Sequence, residues 1–166
     1  KSTLRPSKSW EEVIQNYQFL RELKVDYISL SKIIDSADMD YTLWIEIAKI
    51  IEQNYDKYKG FVILHGTDTM AYTASALSFL LKNLKKTVIL TGAQRPIQEI
   101  RSDGLQNLLT SIEIIEKQES ENQDYSEEEV IPSIPEVCIF FRDHLFRGNR
   151  ARKLDSTNYF GFSSPN

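Results

Sequence analysis

A single cysteine, Cys138, stands in the 166 residues, so no disulfide can form within the chain. That excludes a small secreted domain held by cystines and makes a reducing compartment such as the cytoplasm the expectation. Two histidines join the cysteine, too few for a convincing zinc site made of protein ligands alone. Cys138 lies in an apolar run, which reads as a buried inert thiol rather than a nucleophile. Lysine and arginine number 20 against 24 aspartate and glutamate, a net charge of −4. With no clustered basic face, neither a nucleic acid nor an anionic membrane is expected as a partner. No apolar run approaches the roughly 20 residues of a membrane span, and no signal peptide opens the chain. Phosphate-binding glycine patterns and solenoid-length repeats are also missing. Asp35, Asp38 and Asp40 are spaced loosely like a calcium loop but lack its glycine and closing glutamate, so calcium is not expected.

Hydrophobic residues make up 41% of the chain, enough for the core of a single α/β domain. Trp10 to Leu23 places Val13, Ile14, Tyr17, Leu20 and Leu23 on one helical face, with Ser9 and Glu12 as a capping box. Tyr27 to Ile34 reads as a strand. Tyr41 to Tyr55 returns to helical spacing behind Asp40 as cap. After Gly60, Phe61-Val62-Ile63-Leu64 is continuously apolar, the mark of a strand buried on both faces. A helix from Met70 to Leu84, a strand from Thr87 to Leu90, a helix from Gly104 to Lys117 and a strand from Glu136 to Phe141 complete the alternation. The fold class is therefore α/β, a doubly wound, mostly parallel sheet with flanking helices. Residues 118–134, with Glu127-Glu128-Glu129, read as a solvated acidic insertion.

Ligands of open parallel sheets bind beyond the carboxyl ends of the strands, where helix N-termini and loops converge. Three polar loops qualify: Asp35-Ser36-Ala37-Asp38, Gly66-Thr67-Asp68-Thr69 and Thr91-Gly92-Ala93-Gln94. From their spacing alone Thr67 and Asp68 read first as helix caps, and second as a hydroxyl and carboxylate awaiting a base. His65, at the end of a buried strand, reads as a structural imidazole.

His65-Gly66-Thr67-Asp68-Thr69-Met70 resembles the asparaginase family, in its cytoplasmic type I branch. Asp35-Ser36-Ala37-Asp38-Met39, Thr91 to Pro96, Ser102-Asp103-Gly104 with Asn107-Leu108, and Phe146 to Arg150 with Lys153 resemble further family segments in the same order. The resemblance implies a catalytic triad of Thr67, Asp68 and Lys153. It also implies a substrate pocket of Asp35, Ser36, Ala37, Gly66 and Ala93, with Ser36 on the α-carboxylate and the Ala93 carbonyl on the side-chain amide. The implied substrate is L-asparagine, the implied assembly a homo-oligomer (dimer or tetramer), and no metal or cofactor is needed. The family's opening strand, its glycine-rich loop with a second threonine, and its smaller C-terminal domain have no counterpart here. Residues 1–166 thus read as an incomplete N-terminal catalytic domain. Two alternatives remain: the asparaginase-like subunit of a tRNA-dependent amidotransferase, and a non-catalytic interaction module.

Overall fold

The computed structural model describes residues 17–31, 35–95, 99–119, 130–155 and 160–165. Three short apolar runs become the parallel strands β1 (Phe61–Leu64), β2 (Val88–Thr91) and β3 (Val137–Phe141). β4 (His144–Arg147) folds back on β3 through Arg142 and Asp143, and the sheet order is β1-β2-β3-β4. Arg142 takes a φ of 53°, a left-handed value that the tight reversal imposes on a residue other than glycine. The register sets Leu64 opposite Thr91 and Leu90 opposite Ile139, so the carboxyl ends of β1 and β2 lie side by side.

Side chains of β2 and β3 divide between two cores, as the period of two demands. Val88, Leu90, Val137, Ile139 and Phe141 pack with Ile47, Ile51, Met70, Ala74 and Leu77. Ile89, Cys138 and Phe140 pack on the opposite face with Ile115. One face is thus covered by α1 (Tyr41–Gln53) and α2 (Met70–Leu80), the other by α3 (Gly104–Glu116). Helices on both faces make the sheet doubly wound, as the alternation of strands and helices predicts. Asp40 caps α1, its Oδ1 accepting from the backbone N–H of Thr42 and Leu43. The two crossovers, β1–α2–β2 and β2–α3–β3, step in the same direction with their helices on opposite faces. They therefore have opposite hands, and one of them is left-handed, the rare sense.

Two expectations need correction. Tyr27 to Ser31 is irregular chain and not part of a strand, while residues 32–34 lie outside the described residues. Its polar groups go to side chains instead of a ladder: Ser31 donates from its N–H and its hydroxyl to the Glu46 carboxylate at 2.7 and 2.8 Å. Asp26 meets Lys57 at 3.1 Å. Leu30 turns onto the α1 side of the core. β1, expected to be buried on both faces, is half-buried at Phe61, Val62 and Ile63 and exposed at Leu64, because it is an edge strand among the described residues. The first half of the helix expected over Trp10 to Leu23 lies outside the described residues; in the second half only Gln18–Glu22 is helical, as a short 3-10 turn.

Past β4 the chain forms a two-stranded piece, β5 (Arg152–Lys153) against β6 (Phe162–Ser163), pairing Lys153 with Phe162. Buried Phe162 lies 4.9 Å, centroid to centroid, from Phe141 of β3. An apolar anchor at the end of the sheet therefore fixes the strand that carries Lys153.

Candidate active site

The turn after β1 and the turn after β2 are locked together by the His65 N–H, which donates to the Thr91 carbonyl at 2.8 Å. Gly92 sits so close to the His65 carbonyl that a Cβ there would collide with it. Across the turn, Thr69 donates its hydroxyl to the Ser36 carbonyl at 2.6 Å, drawing the 35–38 segment onto Gly66-Thr67-Asp68. A Cβ on Gly66 would lie 2.5 Å from the Ser36 hydroxyl oxygen, so the two segments meet at contact distance. Asp35 holds the local turn, accepting from the Ala37 N–H at 3.1 Å. Ser36 is buried; Asp35 and Ala37 are exposed.

Lys153, far away in sequence, completes the group. Its Nζ donates to Thr67 Oγ1 at 2.8 Å and to Asp68 Oδ1 at 2.7 Å. The lysine side chain is 15% exposed, while Asp68 is 64% exposed. An ammonium largely withdrawn from water thus rests on one carboxylate and one hydroxyl. Such charge-assisted contacts are short and directional. The alternative that Asp68 merely caps α2 does not describe this geometry. The N-cap is Thr69, which makes no side-chain capping bond, and the Asp68 carboxylate goes to the lysine.

The loop bearing Ala93 is braced from behind. Asp103 accepts from the Gln94 N–H at 3.0 and 3.2 Å. Asn107, fully buried on α3, donates to the Gly92 carbonyl at 2.9 Å and accepts from the Arg142 N–H at 3.0 Å. Gln94 reaches the Asp155 carbonyl at 3.3 Å, tying this loop to the end of β5. A cavity of about 530 Å³ opens beside the lysine, walled by Asp68, Tyr72, Asn149, Arg152, Lys153 and Asp155 among others. Thr67, Ser36 and Ala93 do not line it.

His65 is buried, and desolvation pulls its imidazole below the ordinary value, against a smaller upward pull from the Gly66 carbonyl. Its Nε2 lies 2.9 Å from Thr73 Oγ1, which accepts at 2.9 Å from the Trp44 indole N–H. Burial pushes the Cys138 thiol up to about 12, as suits an inert core residue. Among the described residues no group of three or more His, Cys, Asp or Glu could hold a metal ion. No described helix is long and apolar enough to cross a membrane.

The structure therefore brings Thr67, Asp68 and Lys153 into direct contact and sets Ser36 against Gly66. Ala93 lies in the adjoining loop. Sequence reasoning did not single out the Trp44–Thr73–His65 chain or Tyr72 in the cavity wall. One signal was available for the first: Thr73 is a lone hydroxyl in the otherwise apolar buried stripe of Met70, Ala74 and Leu77.

Residues 1–166 match the family described as asparaginase, N-terminal. The chain is 48% identical over 134 residues to the 60 kDa lysophospholipase of Mus musculus, covering 81% of this chain and 21% of that protein. It is equally 48% identical over 134 residues to L-asparaginase 1 of Escherichia coli K12, of which it covers 36%. A glutamyl-tRNA(Gln) amidotransferase chain of Saccharolobus solfataricus is 42% identical over a shorter stretch, 66% of this chain and 25% of that protein. The crystal structure of L-asparaginase I from Vibrio cholerae superposes with a TM-score of 0.77 at 44% identity, covering all of this chain and 47% of that one. The chain thus spans between a fifth and a half of the length of these relatives.

Proposed function

The chain belongs to the asparaginase family, and from that premise we propose that this protein hydrolyses L-asparagine to L-aspartate and ammonia through a threonine nucleophile. The observation that carries the proposal is Lys153 Nζ at 2.8 Å from the Thr67 hydroxyl and 2.7 Å from the Asp68 carboxylate. A threonine hydroxyl is a weak nucleophile unless a base removes its proton. A lysine seated on that hydroxyl can accept the proton once its own is lost. Asp68 holds the amine on the oxygen through the exchange.

In the first half-reaction a threonine hydroxyl attacks the side-chain amide carbon. The tetrahedral oxyanion is held by backbone N–H groups, and the C–N bond breaks as ammonia leaves with the added proton. In the second half, water gives its proton to the Lys153 amine and attacks the acyl ester. Collapse breaks the ester bond, returns the proton to the threonine and releases aspartate. Ser36 takes the substrate α-carboxylate, Asp68 the α-ammonium, and the Ala93 carbonyl the amide N–H; Asp35, Ala37 and Gly66 shape the pocket. The Ser36–Gly66 contact supports this division, since the Ser36 hydroxyl lies beside the turn that carries Thr67. The same reading makes the protein a cytoplasmic homo-oligomer, dimer or tetramer, with residues 1–166 as its catalytic domain and 118–134 as an insertion.

Ammonia released by the full-length protein from L-asparagine, against L-glutamine, is the direct measurement. Lys153→Met and Thr67→Val are each expected to lower kcat by roughly a thousandfold or more, as loss of a member of such a group does. Retention of most activity by Lys153→Met would end the assignment. Turnover only in the presence of a tRNA-bearing partner would favour the amidotransferase reading, which the shorter match supports less well.

A further inference from the structure

We propose that His65 is a positioning residue: its imidazole, oriented through Thr73 and Trp44, fixes the Gly66–Thr67 peptide and so holds the Thr67 hydroxyl on Lys153. The inference rests on the reading of Thr67 and Lys153 as the proton-handling pair. Donor and acceptor chemistry gives the chain its direction. An indole N–H can only donate, so Thr73 Oγ1 accepts from Trp44 at 2.9 Å. The hydroxyl proton of Thr73 is then free to go to His65 Nε2 at 2.9 Å. An Nε2 that accepts leaves the ring proton on Nδ1, which lies 2.7 Å from the Gly66 carbonyl, a group that can only accept. One neutral tautomer satisfies all three contacts. The opposite tautomer would set a ring lone pair against a carbonyl lone pair, an expensive pairing where water is excluded.

The consequence for the site follows from peptide planarity. No described peptide bond is cis. With the Gly66 carbonyl turned to the imidazole, the Thr67 N–H must point to the other side of the same plane. The backbone of His65 is itself held by its N–H bond to Thr91 and by the close approach of Gly92. The plane that launches Thr67 is therefore fixed from the strand, from α1 through Trp44 and from α2 through Thr73. Such a brace matters because small displacements of a reacting group can cost on the order of 100-fold in rate.

The test uses the full-length protein with two amide substitutions. Asparagine places its NH2 where Nδ1 lies and can donate to the Gly66 carbonyl. Glutamine reaches only to the Nε2 position and meets Thr73. His65→Asn is expected to keep kcat within about fivefold, and His65→Gln to lose on the order of 10- to 100-fold with KM little changed. Nitrogen-15 NMR of the unsubstituted protein is expected to show the proton on Nδ1. A proton on Nε2, or equal activity in the two variants, would overturn the proposal. If the unsubstituted protein released no ammonia, asparagine hydrolysis would fail, while the tautomer would still decide the role of His65.

Discussion

At the scale of residues, the chemistry sits where a small side chain permits close approach. Gly66 faces the Ser36 hydroxyl at contact distance, with Ser36 Cβ at 2.6 Å from the position a methyl would take. Gly66→Ala is therefore expected to push Ser36 out of place, raising KM for asparagine about tenfold or more while leaving Lys153 on Thr67. Steady-state kinetics beside a thermal melt checks this, and an unchanged KM would show that Ser36 does not meet substrate. His65 makes a second prediction, about pH. Its folded-state value lies below the 6.5 of a free imidazole. As pH falls through 6.5, the unfolded chain takes up a proton that the folded chain refuses. Stability is therefore lost on acidification from about 6.5 down to the folded value, by about 1.4 kcal/mol per unit between the two. Denaturant midpoints at pH 7 and pH 5 should differ less in His65→Asn than in the parent; equal differences would assign the acid sensitivity elsewhere. The motif around Thr67 was legible because its residues are contiguous and chemically unusual together. Periodicity could not bring Lys153 to Thr67, because that contact is made by Phe162 seating β5 on the sheet.

At the scale of elements, α1, α2, α3 and the three parallel strands follow from hydrophobic spacing, with ends displaced by a few residues. β4, β5 and β6 were not foreseen. His144–Arg147 mixes polar and apolar residues, and Arg152–Lys153 has no apolar pattern at all; each becomes a strand only by pairing. The strand expected from Tyr27 failed in the other direction over Tyr27 to Ser31: β-branched and aromatic residues suggested a ladder, but the Glu46 carboxylate took the Ser31 N–H. The acidic insertion offers a prediction at this scale. Residues 120–129 lie outside the described residues, yet the chain on either side is pinned: Glu119 N–H donates to the Ile131 carbonyl and Ile131 N–H to the Lys117 carbonyl, both at 3.0 Å. Gln118 is buried, with its amide oxygen 2.7 Å from the Thr87 hydroxyl. With its ends closed by the fold, the stretch between them is expected to be dispensable. Halving a loop changes closure free energy by only about 0.6 kcal/mol. Replacing residues 120–129 with a short Gly-Ser linker is expected to leave turnover unchanged and the melting temperature within a few degrees. A large loss of activity would mean that the acidic stretch takes part in the site or its assembly.

At the scale of the whole molecule, alternation of strands and helices announced a doubly wound sheet, but the opposite hands of its two crossovers were not legible. Handedness depends on which face each helix takes, and all three helices carry apolar stripes that suit either face. Strand order has a further consequence. β1 pairs with β2 on one side and has no strand partner among the described residues on the other. An unpaired edge offers a row of backbone donors and acceptors to any other chain. Leu64, 48% exposed at the end of that edge, adds apolar surface without a charge to discourage pairing. The 166-residue chain on its own is therefore expected to self-associate through β1, its sedimentation coefficient rising with concentration. Leu64→Lys should shift that rise to higher concentration, since a charge on an edge opposes strand addition. The substitution lies next to His65, so the melt of the variant must match the parent for the comparison to stand. If the parent chain stays monomeric across the concentration range, the edge is covered by its own residues. Self-association that Leu64→Lys leaves untouched would place the contact on another apolar surface, such as the one around Phe79, which is 72% exposed on α2.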